Sequence, residues 1–560
     1  MKRVNAKFWM LACAASFLCM TFPAVAIPYT AESVEELIEH LQSAGPNDVV
    51  VLKEGVYELP SQACSTNTPG GTGLSHLYVN TRLVGGSADR SKTMLVGTGD
   101  FRILGLSARA IVENLTVSNG YAKVYGENYP NSMRGGGAYG YGRMVNCAIL
   151  NCQAQTCAGG IGGEMTLERC LVRDCSASSG GAMRDGIAID CDFICNTATE
   201  EHGGALYSVV ASGCHVLSNT CAKIGGGAYQ MIAATNCIFV ANKSYGNGGG
   251  VGNYSPGTGR LVNCDIIGNS AISEKTIGGG VLYVDVYGGN IHDNYAAGNG
   301  GGVYGSVCRK VALSNNICSG TGNNGYDSNF FDCIIEGTDV SWGSATRCVF
   351  KGIGETVSLT GNPHKEMSIG CAQVWIYFPN ATNCLFRDNN VSSYLFRGGG
   401  AAKRSSTLVN CTVVSNVCPV VISGFKDPEV PFTAENSVFF GNKLKNGTLR
   451  DLSIANGTFV SFSRVAFASS LLSVADYPEG ALLQFGVGGF GEDPKFAGGE
   501  EHPYSLLANS PLRGRGVYAS WMAGASDIRA GARYRRAIGE SVDIGCYQYW
   551  TEPSVKIIVR

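Results

Sequence analysis

Charge is scarce in this 560-residue chain: Asp, Glu, Lys and Arg make up 15%, and the formal net charge is −2. A balance so close to zero offers no electrostatic footprint for nucleic acid, and that partner class is excluded. After residue 26 no apolar run reaches the ~18 residues of a candidate membrane span, so no transmembrane segment is expected after signal cleavage. The seven histidines show no i,i+4 pairing and no Cys-x-x-Cys partner, and no calcium loop or calcium nonapeptide occurs. Neither a metal nor a cofactor is expected. Repeated Asn-Gly hairpin turns are also missing, which argues against an antiparallel barrel.

Glycine, by contrast, is abundant at 77 residues, and it falls in clusters rather than at every third position, which excludes collagen. Between 191 and 304 one pattern is written five times: an apolar alternating run, an Asn five residues after its start, a small-polar loop, a glycine cluster and a Tyr. The copies start at Cys191, Cys214, Cys237, Cys264 and Gly289, with spacings of 23, 23, 27 and 25 residues. That period means stacked units that cannot bury an apolar face alone. A coil of three short strands fits in it, whereas a propeller blade needs ~40 residues. About sixteen coils at the ~4.8 Å strand spacing are expected. The fold class is therefore all-β, a right-handed parallel β-helix with an N-terminal helical cap.

Five residues after each start lie Cys152, Cys175, Asn196, Asn219, Asn242, Asn269, Asn294, Asn315, Asn389, Asn416 and Asn442. Asn suits a turn because it tolerates the left-handed region, and in stacked coils its amide can also bond the Asn above and below. The glycines serve a second corner, through positive φ or the close approach of the next coil.

Lys2, Arg3 and Lys7, the apolar stretch Phe8–Phe22 and Ala24-Val25-Ala26 form a signal peptide over 1–26. Export is expected, to the extracellular space or cell surface, with the periplasm as the other destination. Of 23 cysteines, Cys13 and Cys19 leave with the signal, and an odd number remains. Cys147, Cys170, Cys191, Cys214, Cys237, Cys264, Cys384 and Cys411 open the same apolar run, so buried free thiols are expected rather than a disulfide ladder.

Residues 31–42 carry Val34, Leu37, Ile38 and Leu41 at helical spacing, capped by Thr30 or Ser33 with Glu36 three residues after the latter. The helix with the following D-V-V-V-L…G-V-Y stretch resembles the entry of pectate-lyase-like β-helices, where such a helix covers the first coil. The GGAM, GGAL and GGAY tetrads at 180, 203 and 226 alternate with FICN, FVAN, FRDN and FFGN at 193, 239, 386 and 439. Over roughly 135–445 this is similar to the repeats of the chlamydial polymorphic membrane proteins, surface adhesins, although the outer-membrane barrel of those proteins has no counterpart here. Asp493-Pro-Lys-Phe496 and Asp543-Ile-Gly-Cys-Tyr547 are similar to the ending of many secreted bacterial β-helix proteins. The expected organisation is signal peptide 1–26, helix and capping strands 27–60, β-helix 61–480 and C-terminal cap 481–560.

The motif sets of polygalacturonases and pectate lyases are absent. Arg347 and Lys351, with His364 and Lys365 in the irregular 317–383 stretch, are the catalytic candidates. Arg529, Arg533, Arg535 and Arg536 either bind acidic glycan or decorate the cap. Tyr139, Tyr207, Tyr229, Tyr283 and Tyr304, with Tyr254, follow the glycine clusters and form either a ligand-binding stripe or a cover for the sheet. The adhesin resemblance implies a secreted or surface module that binds polysaccharide or a host or cell-surface protein. The alternative is a lyase or glycoside hydrolase acting on an acidic polysaccharide.

Overall fold

The computed structural model describes residues 28–62, 75–124, 133–338, 340–352, 380–397, 406–427, 429–455, 457–467, 483–485, 493–530 and 534–549. The signal peptide, His364, Lys365 and Arg533 lie outside them. The described chain is a right-handed parallel β-helix of about fifteen turns, one short of the number read from the sequence.

One coil shows how the repeat becomes structure. Leu206–Tyr207, Val210–Ser212, His215–Leu217 and Thr220–Cys221 form four short strands, which belong to what we call sheets one to four. Each pairs in parallel with its equivalent one coil on: Leu206 with Ala228, Val210 with Ala233, His215 with Ile238, Thr220 with Lys243. The corners between them are single residues at positive φ, Ser208 (54°), Gly213 (64°) and Ser218 (56°). A left-handed residue turns the chain sharply at a cost of ~1–2 kcal/mol for an L side chain, which stacking of the next coil must offset. Inward positions of the strands form one continuous apolar core from Ala31 to Phe467.

The conserved-looking Asn of the repeat is not the left-handed residue. That role belongs to its predecessor, such as Ser218 or Ala241 (φ 52°), while Asn219 and Asn242 point inward and are fully buried. In the buried place each Asn accepts, at Oδ1, the backbone N–H and the amide of the Asn one coil earlier. The ladder runs Asn196, Asn219, Asn242, Asn269, Asn294 and Asn316, with amide contacts of 2.8–3.0 Å. It resumes at Asn389, Asn416 and Asn442. Asn316 replaces the expected Asn315, because Lys310 is a left-handed corner (φ 56°) and the coil's buried start is Val311. Counting from Lys310 sets the register one residue early.

The cysteine register has the same logic with a weaker acceptor. Cys147 N–H donates to Cys170 Sγ, Cys170 N–H to Cys191 Sγ and Cys214 N–H to Cys237 Sγ, each at 3.4 Å. Where serine takes the place, Cys411 N–H donates to Ser437 Oγ at 3.1 Å. Every described cysteine is free, and among them only Cys195 is exposed. Burial pushes the Cys221 thiol up to about 11 and Cys546 up to about 12. Thiolate is the reactive form, so buried neutral thiols are inert. In residues 27–560 with Cys64 and Cys371 changed to serine, a disulfide reagent at pH 8 is expected to titrate one fast thiol, removed by Cys195→Ser. Several fast thiols would show that the core opens readily.

At the N-terminus the helix Val34–Ser43 is capped by Ser33, whose Oγ accepts from Glu36 N–H at 3.2 Å; Glu36 reaches back to Glu32 N–H. Leu37 enters the core and Val34, Ile38 and Leu41 pack against it, so the helix covers the first coil. At the other terminus, residues 493–530 and 534–549 lie along the outward side of sheet three. Leu506, Leu512 and Ile544 pack on Val438 and Ala466, and Cys546 and Tyr547 pack on Leu385 and Val414. Asn436 clasps Val517 through both its amide atoms, at 2.7 and 2.9 Å. Leu385, Thr412 and Val438 follow one another in one outward column of sheet three beneath this cover, and Cys546 N–H donates to Thr412 Oγ1 at 3.0 Å.

Candidate functional site

The two described catalytic candidates, Arg347 and Lys351, are each held in an ion pair. Arg347 is itself a corner residue (φ 53°), and its guanidinium forms a two-point pair with the carboxylate of Asp332, the equivalent corner one coil earlier, at 2.6 and 2.8 Å. That pair raises the Arg347 pKa above its ordinary value and fixes the cation in its charged form. Lys351 pairs with Glu336 at 3.0 Å, across the neighbouring strands of sheet three. The described strands on either side of residues 353–379 pair in register, Phe330, Ala345 and Ala381 in sheet two and Ile335, Phe350 and Phe386 in sheet three.

The arginines of the tail are also engaged. Arg529 is held by Asp527 at Nε (3.0 and 3.2 Å) and also donates to the Gln548 carbonyl. Arg536 is fully buried, donates to the Asp543 carbonyl, and is lowered to about 10 by loss of solvent. Arg535 is exposed.

The tyrosines fall mainly in one column of sheet one. In register, coil by coil, it reads Tyr139, Gly162, Arg184, Tyr207, Tyr229, Gly252, Leu282, Tyr304 and Tyr326. Tyr283 stands outside it: Leu282 takes the column and Tyr283 is the left-handed corner that follows (φ 58°). Tyr254 also lies beyond it and is 75% exposed. Within the column the rings pack on each other. Tyr207 and Tyr229 meet edge to face at 5.0 Å, Tyr283 leans on Tyr304 at 5.7 Å, and Tyr304 stacks on Tyr326 at 5.1 Å.

Covering groups decide which rings are available. Tyr139 is 8% exposed beneath Arg102, and Tyr229 4% exposed beneath His202, whose ring stacks on it at 4.2 Å. Burial lowers the His202 pKa below its usual value, which keeps the stacked imidazole neutral near pH 7. Tyr207, Tyr304 and Tyr326 are partly exposed, with Arg184 over the Tyr207 ring at 4.2 Å from Cζ to centroid. The sequence could not separate these classes, because the covering residues come from other coils.

Cation–aromatic contacts on sheet two were not apparent in the sequence. Arg260 and Arg309 lie over Tyr287 and Phe331, at 4.6 and 4.0 Å from Cζ to ring centroid. The signal was present as R-L-V, D-V-Y, V-C-R and N-F-F triplets, but only strand register aligns them.

No family model and no curated protein matches this chain. It is similar to solved structures of other proteins of low identity. The pectate lyase Pel9A is 13% identical over 91% of this chain and 90% of that one, with a TM-score of 0.24. The A-module of mannuronan C-5 epimerase AlgE4 from Azotobacter vinelandii is 11% identical over 78% and 98%, TM-score 0.23. The PL6 family alginate lyase AlyGC is 10% identical over 83% and 100%, TM-score 0.19. The fold assignment rests on the parallel strand pairing itself. Among the described residues no helix is long and apolar enough to cross a membrane, and no group of three metal-ligating side chains occurs.

Proposed function

We propose that this chain is an exported, adhesin-like binding rod that engages polysaccharide, or a cell-surface protein, along its flank. The observation that carries this is the register column of sheet one, where Tyr207, Tyr304 and Tyr326 hold partly exposed rings on a rigid lattice. Rings held in place by the coil lattice bind with little loss of side-chain freedom, and an amphipathic phenol suits the mixed polar and apolar face of a sugar. The described candidate cations Arg347 and Lys351 are occupied by carboxylates, which leaves binding as the reading the geometry supports best.

The test is retention of the mature protein on immobilised neutral and acidic polysaccharides, with Tyr207→Ala/Tyr304→Ala as the variant. At ~0.5–1.5 kcal/mol per aromatic contact, the double change is expected to weaken retention roughly tenfold without lowering the melting temperature much. Unchanged retention would remove the tyrosine column from the reading. New reducing ends or unsaturated-uronate absorbance would instead assign the lyase or hydrolase alternative, and their loss in Arg347→Ala would place its chemistry at the irregular stretch.

A further inference from the structure

Two guanidinium groups on the outward side of sheet two are held by rings rather than by carboxylates. Elsewhere on this sheet the arginines pair across coils, Arg82 with Glu113 and Arg143 with Glu168, and Arg347 at its corner pairs with Asp332. Arg260 and Arg309 instead each lie over an aromatic ring supplied by the next coil, Tyr287 and Phe331. Both arginines are exposed and both rings are half-buried.

Register turns these contacts into a line. Tyr287 stands opposite Arg309, and Arg309 opposite Phe331, so ring, guanidinium and ring follow one another at the ~4.8 Å coil spacing. Beside them Asn329 and Ser344 continue the neighbouring column as a hydrogen-bonded pair at 2.6 Å, giving short polar groups along the same face. Asp285, opposite Arg260, is the carboxylate on this stretch of strand, and Lys310 at the corner after Arg309 adds an exposed cation.

A guanidinium held over a ring rather than by a carboxylate keeps N–H donors for a ligand, and its fork matches a carboxylate at two points. The exposed part of each ring offers an apolar platform for a pyranose. One sugar of an extended polysaccharide advances by about one coil, so successive sugars would meet successive rungs. We infer that this face of sheet two binds a carboxylated polysaccharide, with Arg260 and Arg309 receiving uronate groups and Tyr287 and Phe331 stacking on the rings. The inference rests on the glycan-binding reading above and adds the charge of the glycan and the face that takes it.

Affinity electrophoresis of the mature chain through gels containing polygalacturonate, alginate or neutral dextran tests it. Retention on the two acidic gels is expected, weakening as salt rises. Arg260→Gln/Arg309→Gln is expected to lose at least tenfold, Arg309→Lys to lose part, and Arg143→Gln, which breaks a paired arginine on the same sheet, to lose nothing. Circular dichroism melts confirm that all variants fold. Undiminished retention of the double glutamine variant would overturn the site. Equal retention on acidic and neutral gels would overturn it too, yet leave the glycan-binding reading standing. No retention on any gel would remove both.

Discussion

Replacing Asn242 by alanine is expected to destabilise the folded chain by about 3–5 kcal/mol, because several buried groups lose their partners together. Asn242 Oδ1 accepts from the Asn219 backbone N–H at 2.9 Å and from its amide at 3.0 Å. Its own amide donates to the Val216 carbonyl at 2.8 Å and to Asn269 Oδ1 at 2.9 Å. Alanine keeps the backbone contacts alone, its N–H to Asn269 Oδ1 and its carbonyl from Ser270 N–H. The orphaned N–H and C=O groups sit where the ladder is fully buried, so water cannot replace what is lost. Aspartate is expected to do at least as badly, since an oxygen would then face the Val216 carbonyl. The same measurement checks the register: Asn316→Ala should resemble Asn242→Ala, while Asn315→Ala should cost only the ~1–2 kcal/mol of a left-handed alanine. Urea unfolding followed by circular dichroism gives the comparison, and equal losses at 315 and 316 would refute the assigned ladder.

Gly226→Ala is expected to destabilise by about 3 kcal/mol or more, and to reduce soluble yield, because the new methyl has nowhere to go. A Cβ on Gly226 would stand 2.2 Å from the Gly249 carbonyl oxygen and 2.5 Å from the Lys243 carbonyl carbon, both backbone of the next coil. The coils cannot separate to admit it without stretching the parallel pairing and the Gly226 N–H to Gly248 contact of 3.1 Å. Gly257 supplies the control. Gly257, unlike Gly226, has a positive φ (74°), yet a Cβ there meets nothing within 4 Å, so alanine should cost only the backbone strain. If Gly257→Ala and Gly226→Ala melt alike, close coil approach is not what the glycine clusters provide.

These two substitutions show how far the repeat could be read. Close approach and positive φ were both expected of the glycine clusters, and both occur, at adjacent residues: Gly225 has φ 78° while Gly226 meets the next coil. The ladder role of Asn was legible because like residues recur at like places in each coil. Its supposed left-handed turn was not, since Ser218 and Ala241 carry that conformation without any special composition.

The sequence alone determined the features that repeat or that close within one turn of chain. These are the parallel coil, the cysteine and asparagine columns, and the N-terminal amphipathic helix, each fixed by spacing and by side-chain chemistry acting on near neighbours. Tertiary structure decided what depends on the residue one coil away or far along the chain. It set Asp332 against Arg347, left Arg260 and Arg309 to aromatic rings, and placed Leu282 rather than Tyr283 in the column. It also laid the tail against sheet three, through contacts such as Asn383 to Ser526 across 143 residues. The reason is physical: a solenoid's exposed chemistry arises between rungs, and a shift of one residue in loop length exchanges which side chains face each other.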